Sequence, residues 1–236
     1  MITSEIPLTI TIDGTAGSGK SALGSLLAAR LDYLFVDTGA FYRALTLAAL
    51  RAQIPLEKGP ALAALAHTLD IRIVPPTVAD GHQFTLLLDA ADVTWELRSE
   101  AVDAGVSPVA AQPEARAALL PMQQRLARKK GVVMVGRDIG TVVCPEAEVK
   151  VYLVADLATR AQRRQQELAT RGASITDDDV ARNLAARDRI DSSRDAAPLA
   201  QPPDAIVLDT GKLSLEEELA AVLVRIKAVR DALAAE

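Results

Sequence analysis

An eight-residue stretch near the start of the chain, residues 14–21, limits what this sequence can fold into more than any other feature. It reads Gly-Thr-Ala-Gly-Ser-Gly-Lys-Ser and fits the pattern G-x-x-x-x-G-K-S/T at every fixed position. A β-branched segment, Leu8–Ile12, precedes it, and leucines at helical spacing follow it. Because the pattern needs a strand before it and a helix after it, the context supports the match. The sequence predicts a phosphate-binding loop between the first strand and the first helix.

The residue types of this loop suit a nucleoside triphosphate. Glycines let backbone N–H groups approach phosphate oxygens, and the following helix adds the positive end of its dipole. Lys20 is expected to bridge the β- and γ-phosphates, and the Ser21 hydroxyl to take a Mg²⁺ position. A plain strand-turn-helix is the alternative, whereas a dinucleotide fingerprint lacks its third glycine after Gly19. The predicted nucleotide-binding set is Gly14, Thr15, Ala16, Gly17, Ser18, Gly19, Lys20 and Ser21.

Short apolar runs alternate with helical patterns along most of the chain. The predicted strands are Leu8–Ile12, Tyr33–Val36, Val132–Val135, Val149–Val154 and Ile206–Leu208. The predicted helices are one from the Asp37-Thr38-Gly39 turn through Leu50, then Glu114–Lys130, Leu157–Thr170 and Leu215–Ala234. Strands alternating with helices predict an α/β fold, with a doubly wound parallel sheet of about five strands.

One region, between Leu69 and Ser107, breaks this alternation. It holds two β-like segments, Asp70–Val74 and Phe84–Leu88, with turn signals at Pro75-Pro76 and Asp80-Gly81. This pattern predicts a small β-containing insert on the core.

Net charge and composition exclude several classes of partner and of structure. The net charge of −5 gives no reason to expect nucleic acid. Cys144, the single cysteine, excludes internal disulfides and a cysteine-based metal site. The first residues have no basic segment and no apolar run reaches 18 residues, so neither a signal peptide nor a membrane span is expected. The expectation is a cytoplasmic, monomeric protein.

Arginines concentrate late in the chain. Of 26 basic residues, 19 are arginine, and eight of these lie between Arg160 and Arg194. Arg160, Arg163 and Arg164 share one helix face, where like charges cost about 0.2–0.5 kcal/mol per pair unless an anion binds. The alternative is a salt-bridged surface on which Glu167 offsets the repulsion between Arg163 and Arg164. An arginine-rich helical hairpin after the fourth strand predicts a lid over phosphates.

Two further segments come directly after predicted strands, where ligands gather in such sheets. Arg43 follows the turn at Asp37, in the first turns of a helix whose dipole opposes a cation. Binding of an acceptor phosphate would explain why a cation stands at this position. The alternative is that Arg43 is a solvated surface residue. Gly136-Arg137-Asp138 comes after the strand that ends at Val135, and it is either a site or a simple strand exit.

Four other residues favour ordinary structural roles. Asp156 ends an apolar run as a Walker B aspartate does, but it equally caps the helix from Leu157, and we favour the cap. His67 and His82 stand apart and are expected at the surface. Cys144 is expected to be a small buried apolar residue.

Several motifs together make the chain resemble the bacterial cytidylate kinases, a family of P-loop nucleoside monophosphate kinases, along almost its whole length. They are residues 10–14 leading into the loop, 37–43, 136–143, 187–188, 191–194, 197–199 and 208–210. The long insert is a further mark of the bacterial enzymes. The resemblance implies a P-loop core of adenylate-kinase type, with an NMP-binding insert at 67–107 and a helical lid at 157–187. The core segments would be 1–66, 108–156 and 188–236.

The resemblance implies ATP-dependent phosphoryl transfer to CMP and dCMP, giving CDP, dCDP and ADP, with Mg²⁺ accompanying ATP. The residues expected at the acceptor phosphate are Arg43, Arg116 and Arg137. Those expected to read the cytosine are Ser107, Asp138 and Arg194. Those expected at the ribose hydroxyls are Asp191 and Arg187. The expected lid residues near ATP are Arg160 and Arg164. The expected catalytic set is Lys20, Arg137, Arg160, Arg164 and Arg187.

The chain departs from the family pattern at two positions. Thr38, also expected at CMP, stands where serine is usual, and its extra methyl could shift the substrate. Thr15 replaces a common proline, which changes the stiffness of the loop and leaves its fixed positions intact.

Other P-loop classes fit less well. A GTPase would need Asn-Lys-x-Asp, but Asn183, the only asparagine, is followed by Leu184. A motor or transporter ATPase would need a glutamate after Asp156. A small-metabolite kinase of the shikimate kinase type shares the core, but it would need neither the cytosine-reading residues nor so long an insert.

Overall fold

The computed structural model describes residues 6–170, 177–193 and 196–235. Its strands are β1 (Thr9–Gly14), β2 (Leu34–Asp37), β3 (Ile71–Val74), β4 (Thr85–Leu88), β5 (Ala91–Asp92), β6 (Val132–Gly136), β7 (Val149–Val154) and β8 (Ile206–Asp209). Its helices are α1 (Lys20–Leu31), α2 (Gly39–Arg51), α3 (Gly59–Thr68), α4 (Glu100–Ala111), α5 (Pro113–Ala127), α6 (Leu157–Thr170), α7 (Asp177–Ser193) and α8 (Leu215–Leu233). A 3₁₀ turn covers Glu96–Arg98, and a π-helical turn covers Ile139–Val143.

The central sheet has five parallel strands in the order β2-β6-β1-β7-β8. Every residue of β1 and of β6 is buried, as expected for central strands covered on both faces. Because β6 lies between β2 and β1, the carboxyl ends of these three strands meet at one edge. The predicted α/β fold with a five-stranded parallel sheet is confirmed.

Helices cover both faces of this sheet. Alternate residues of β6 face opposite ways: Val133 and Val135 belong to the core beneath α1 and α8. Val132 and Met134 belong to the core formed with helices α2 to α5. Leucine, valine, isoleucine and alanine supply most of both cores.

The insert contains a second sheet, with antiparallel strands in the order β3-β4-β5. Ile71 pairs with Leu88 in it, so the two predicted β-segments are confirmed to within one residue. The third strand, β5, was not predicted. It follows a two-residue turn in which Asp89 and Ala90 both have left-handed backbones, with φ of 50° and 69°.

Other element ends differ from the sequence predictions. The helix predicted over Glu114–Lys130 ends at Ala127, because Lys130 and Gly131 take left-handed conformations and turn the chain into β6. Helices α3 and α4 were not predicted. Consequently the expected boundaries after residues 66, 107 and 187 fall inside the continuous helices α3, α4 and α7. The division into core, insert and lid stays a prediction.

The last helix has a well-formed N-terminus. Ser214 Oγ accepts a hydrogen bond from the backbone N–H of Glu217, whose carboxylate accepts in return from the N–H of Ser214. In the described parts of the chain, no helix combines the length and apolar character that crossing a membrane requires.

Candidate active site

A cleft of about 690 Å³ opens where β2, β6 and β1 end, between the insert and helices α6 and α7. Most of the sequence-predicted site residues line it. They are Ala16, Gly17, Gly19, Lys20, Ser21, Thr38, Arg43, Ser107, Arg116, Arg137, Asp138, Arg164, Arg187 and Asp191. The predicted residues Gly14, Thr15, Ser18 and Arg160 are not part of the lining. Arg194 lies outside the described residues.

The phosphate-binding loop connects β1 to α1 and requires glycine at its first position. Gly14 has φ of 151°, and a Cβ atom there would lie 2.4 Å from the carbonyl oxygen of Leu153. Gly19 has φ of 93° and stands directly before the first residue of α1. The loop is therefore a tight turn into a helix N-terminus, the geometry that favours a bound anion.

Lys20 is almost fully buried beneath this loop. Its Nζ donates hydrogen bonds to the carbonyl oxygen of Thr15 at 2.6 Å and to Ser18 Oγ at 3.4 Å. Burial holds the pKa of Lys20 well below its usual value, and the charge of Arg137 lowers it further. Asp37 is the largest opposing influence. Burial deprives the Lys20 cation of its hydration, and a phosphate bound at the loop would stabilise the charged form again.

Asp37, at the end of β2, is a site residue that sequence reasoning missed. Its Oδ2 lies 3.3 Å from Ser21 Oγ, and its Oδ1 accepts a hydrogen bond from the N–H of Gly39 at 3.0 Å. A hydroxyl and a carboxylate beside a phosphate loop suit Mg²⁺, because this ion is usually held by one or two carboxylates and by substrate phosphates. Its position directly after a strand was the signal available in the sequence.

The arginines expected at the acceptor phosphate each have carboxylate partners. Arg43 donates to Asp103 at 2.6 Å and to the carbonyl oxygen of Leu97 at 2.9 Å. Arg137 Nε donates to Asp191 Oδ2 at 2.8 Å. These carboxylates fix the guanidinium groups at the cleft wall.

Arg116 has the most buried of these pairs. It is ion-paired with Asp138, and both side chains are less than a tenth exposed. Its guanidinium also lies over the ring of Tyr42, 5.2 Å from the centroid. Ser107 lines the same part of the cleft. Two residues expected to contact different parts of CMP are thus in contact with each other.

Arg187 on α7 lies within a group of like charges. Burial lowers its pKa, and the nearby charges of Arg43, Arg164 and Arg137 lower it further, while Asp103 opposes them. Within the described residues it forms neither an ion pair nor a hydrogen bond. Cations from α2, α6, α7 and the end of β6 therefore converge on one cleft.

Two arginines of α6 contact the phosphate loop and its surroundings. Arg160, expected to be catalytic, is not part of the cleft lining, and it donates to the carbonyl oxygen of Ala16 at 3.1 Å and to Asp188 at 2.6 Å. Arg163, which the sequence analysis left without a role, lines the cleft and donates to the Thr210 hydroxyl at 2.8 Å. The i, i+3 spacing of the two was visible in the sequence, but their different partners were not.

Among the residues expected to be structural, one prediction is wrong. Asp156 accepts from the N–H of Thr159 at 2.7 Å, which confirms the helix cap and lowers the pKa of Asp156. Cys144 is buried, as predicted, and burial raises its pKa to about 11. His67 is exposed, as predicted.

His82 is not at the surface. It is 7% exposed, because its ring is held by Asp80 on one side and by Thr85 Oγ1 at 2.8 Å on the other. Trp95 donates to the second carboxylate oxygen of Asp80 at 2.8 Å. This network shapes the insert beside the cleft.

Comparison with known proteins agrees with this geometry. The model of the cytidylate kinase family matches residues 10–228. A cytidylate kinase of Chloroflexus aggregans is 49% identical over 221 residues, which cover 93% of this chain and 94% of that protein. A cytidylate kinase of Herpetosiphon aurantiacus is 47% identical over 221 residues, covering 94% of this chain and 95% of the relative.

Among solved structures, an uncharacterized protein from Eubacterium ventriosum has a TM-score of 0.52 at 12% identity, with 94% of this chain and 99% of that chain covered. That likeness concerns the fold alone. The family match extends over nearly the whole sequence, with the phosphate loop and the arginine-lined cleft inside it. The chain belongs to the cytidylate kinase family.

Proposed function

We propose that this protein transfers the γ-phosphoryl group of ATP to the phosphate of CMP or dCMP, giving CDP or dCDP and ADP. The observation that carries the proposal is the convergence of cations on one cleft next to a phosphate-binding loop. Burial and three neighbouring arginines lower the pKa of Arg187, which is an unfavourable arrangement without bound anions. Two nucleotides would bring the phosphates that this arrangement needs.

The reaction asks for positioning and charge neutralisation more than for a protein base. The attacking atom is a phosphate oxygen of CMP, which is already an anion. Arg43 and Arg137 are proposed to hold that phosphate in line with the γ-phosphorus, and Lys20 to stabilise charge on the transferred group. Arg164 and Arg187 would neutralise the remaining oxygens and exclude water from the closed cleft.

Mg²⁺ is proposed to enter with ATP and to be held by Ser21 and, through its carboxylate, by Asp37. When bound, the ion would neutralise charge on the phosphates of ATP. The hydrogen bond from the Gly39 N–H orients the Asp37 carboxylate towards the loop.

Selection of the base is assigned to Ser107, Asp138 and Arg194. Cytosine offers an acceptor at N3 and a donor amino group at C4, whereas uracil reverses both. An arginine facing N3 and a carboxylate facing the amino group therefore fit cytosine and mismatch uracil twice. Each buried unpaired group costs about 1–3 kcal/mol, so a preference of about a hundredfold or more is expected.

We also propose that the protein is a cytoplasmic monomer in pyrimidine nucleotide metabolism. ATP and CMP are intracellular metabolites, and one chain supplies both halves of the cleft.

The test is an ADP-release assay with ATP, Mg²⁺ and a panel of acceptors: CMP, dCMP, UMP, AMP, GMP and shikimate. CMP and dCMP should react well, UMP poorly, and the others not at all. Arg194→Met should lower kcat/KM for CMP far more than for UMP. Equal kcat/KM for CMP and UMP in the unaltered enzyme would contradict the assignment of the base-reading residues. Faster reaction with shikimate would contradict the proposed substrate class.

A further inference from the structure

Asp13 is a fully buried carboxylate at the end of β1 that the proposed reaction does not use. It directly precedes the phosphate loop in sequence, but its carboxylate contacts a different segment. Its Oδ1 accepts a hydrogen bond from the N–H of Ile139 at 2.8 Å, and its Oδ2 accepts one from the N–H of Gly140, also at 2.8 Å. Both of these hydrogen bonds thus go to the turn that follows β6.

That turn directly follows Arg137 and Asp138, which line the cleft. The N–H groups of Ile139 and Gly140 open its π-helical segment. Two charge-assisted hydrogen bonds at successive residues hold both the position and the tilt of a backbone segment. The two side chains just before it are therefore fixed at their base.

The turn is packed tightly onto the carboxylate. A Cβ atom at Gly140 would lie 3.2 Å from Asp13 Oδ2, 3.0 Å from Thr11 Oγ1 and 2.9 Å from Cγ of Pro202. Glycine is thus the residue that lets this backbone approach so closely. The contact leaves no space for a water molecule between the carboxylate and the turn.

Keeping an ionised carboxylate here is costly. Burial raises the pKa of Asp13 to about 6, while the two backbone N–H groups lower it. The ionisable groups that face it are Asp138, Lys20 and, on β7, Tyr152. A carboxylate can accept two N–H groups at once, whereas a neutral amide of the same shape offers one acceptor oxygen.

We propose that Asp13 is a positioning residue for the acceptor nucleotide: its carboxylate holds the turn that fixes Arg137 and Asp138 in the cleft. Because both hydrogen bonds go to this turn, its main effect is on acceptor binding, although it adjoins the phosphate loop in sequence. This inference rests on the proposed function.

The first variant is Asp13→Asn, which keeps the shape and the backbone but leaves one N–H facing an amide NH₂. KM for CMP should rise about tenfold or more, while KM for ATP stays within about twofold of the unaltered enzyme. Asp204→Asn is the matched control, because Asp204 pairs with Lys150 outside the cleft. An equal rise in both KM values, or an unchanged KM for CMP, would overturn the proposal.

A pH profile separates positioning from a general structural role. The ratio of KM for CMP between Asp13→Asn and the unaltered enzyme should be largest above pH 7 and should approach one as pH falls below about 6. Titration of the CMP phosphate affects both proteins and cancels in this ratio. A ratio that does not change with pH would contradict the inference.

Gly140→Ala changes the same contact between the turn and Asp13 by altering the turn. It tests the proposal if Asp13→Asn does not fold. Its methyl group would push the turn off the carboxylate and should raise KM for CMP with little change in KM for ATP. Normal KM for CMP in this variant would overturn the proposal. If the unaltered enzyme prefers another acceptor, the proposed function fails, and the same comparison is then made with that acceptor.

Discussion

Replacing Arg160 with methionine should test whether this buried arginine is structural or catalytic. The side chain is 7% exposed and has three hydrogen bonds in the described structure. Besides Ala16 and Asp188, it donates through Nε to the carbonyl oxygen of Ala155 at 3.1 Å. It therefore joins the phosphate loop, the start of α6 and helix α7. Methionine keeps the apolar stem and removes every donor.

The size of the effect follows from what the substitution leaves behind. Asp188 is 20% exposed at its side chain, and its Oδ1 has no hydrogen-bond partner among the described residues. Removing Arg160 would therefore leave this carboxylate without its ion pair. Breaking a buried pair by removing one member costs about 3–5 kcal/mol. The partial exposure of Asp188 favours the lower end, about 3 kcal/mol. In a chain of this length that corresponds to a fall in Tm of about 6–12 °C.

The assay combines thermal unfolding by circular dichroism with ADP release measured well below Tm. The matched variant Asp188→Asn removes the carboxylate charge, and the double variant should be more stable than the sum of the single losses implies. In folded Arg160→Met, turnover should fall by about tenfold or less, because Arg160 is not among the residues that line the cleft. An unchanged Tm together with a hundredfold loss of kcat would refute this reasoning and support direct action on the phosphates.

Three further predictions concern single side chains. Lys20→Ala should lower kcat by at least about a hundredfold with no loss of Tm, because its cation acts in the transition state; near-normal turnover would remove the lysine from the mechanism. The pKa of Asp13 is raised from 3.8 to about 6 in the folded protein. Its contribution to the free energy of unfolding, about 3 kcal/mol, is therefore fully present below pH 4 and is lost as pH rises through 6. The free energy of unfolding should therefore fall more between pH 5 and 7.5 in the unaltered protein than in Asp13→Asn, and equal slopes would contradict this. Cys144, with a pKa of about 11, should resist an alkylating reagent at pH 8 until the protein is denatured, and labelling of the native protein at the rate of a free thiol would contradict its burial.

The sequence predicts the central sheet well, because each strand is an apolar run between clear turn signals. Prediction from the sequence fails where an element contains residues that are unusual for its conformation. The turn before β5 uses Asp89 and Ala90 in left-handed conformations, where asparagine and glycine are the usual residues. Helix α4, which was not predicted, continues through Pro108, a residue that ordinarily disfavours the interior of a helix. In both places tertiary packing overrides local preference.

The cleft was predictable in outline for a different reason. The phosphate loop, Arg43 and Arg137 all follow strands, and parallel topology brings such positions together. Pair partners were not predictable, because they depend on distances between segments far apart in sequence. Asp103 meets Arg43 across 60 residues, and Asp191 meets Arg137 across 54. Asp37 was missed because it looked like part of a turn.

These pairings explain how an acidic protein presents a cationic cleft without losing order there. Arg43, Arg116 and Arg137 are each paired with a carboxylate. Each guanidinium has five N–H donors, so a pair with one carboxylate leaves donors in a fixed direction for a phosphate. Among the described cations of the cleft, Arg187 instead bears the repulsion of its neighbours. A bound phosphate would therefore meet donors that are already oriented and would relieve a repulsion that is already present. Both effects favour phosphates over neutral ligands, and they arise from positions that only the folded chain brings together.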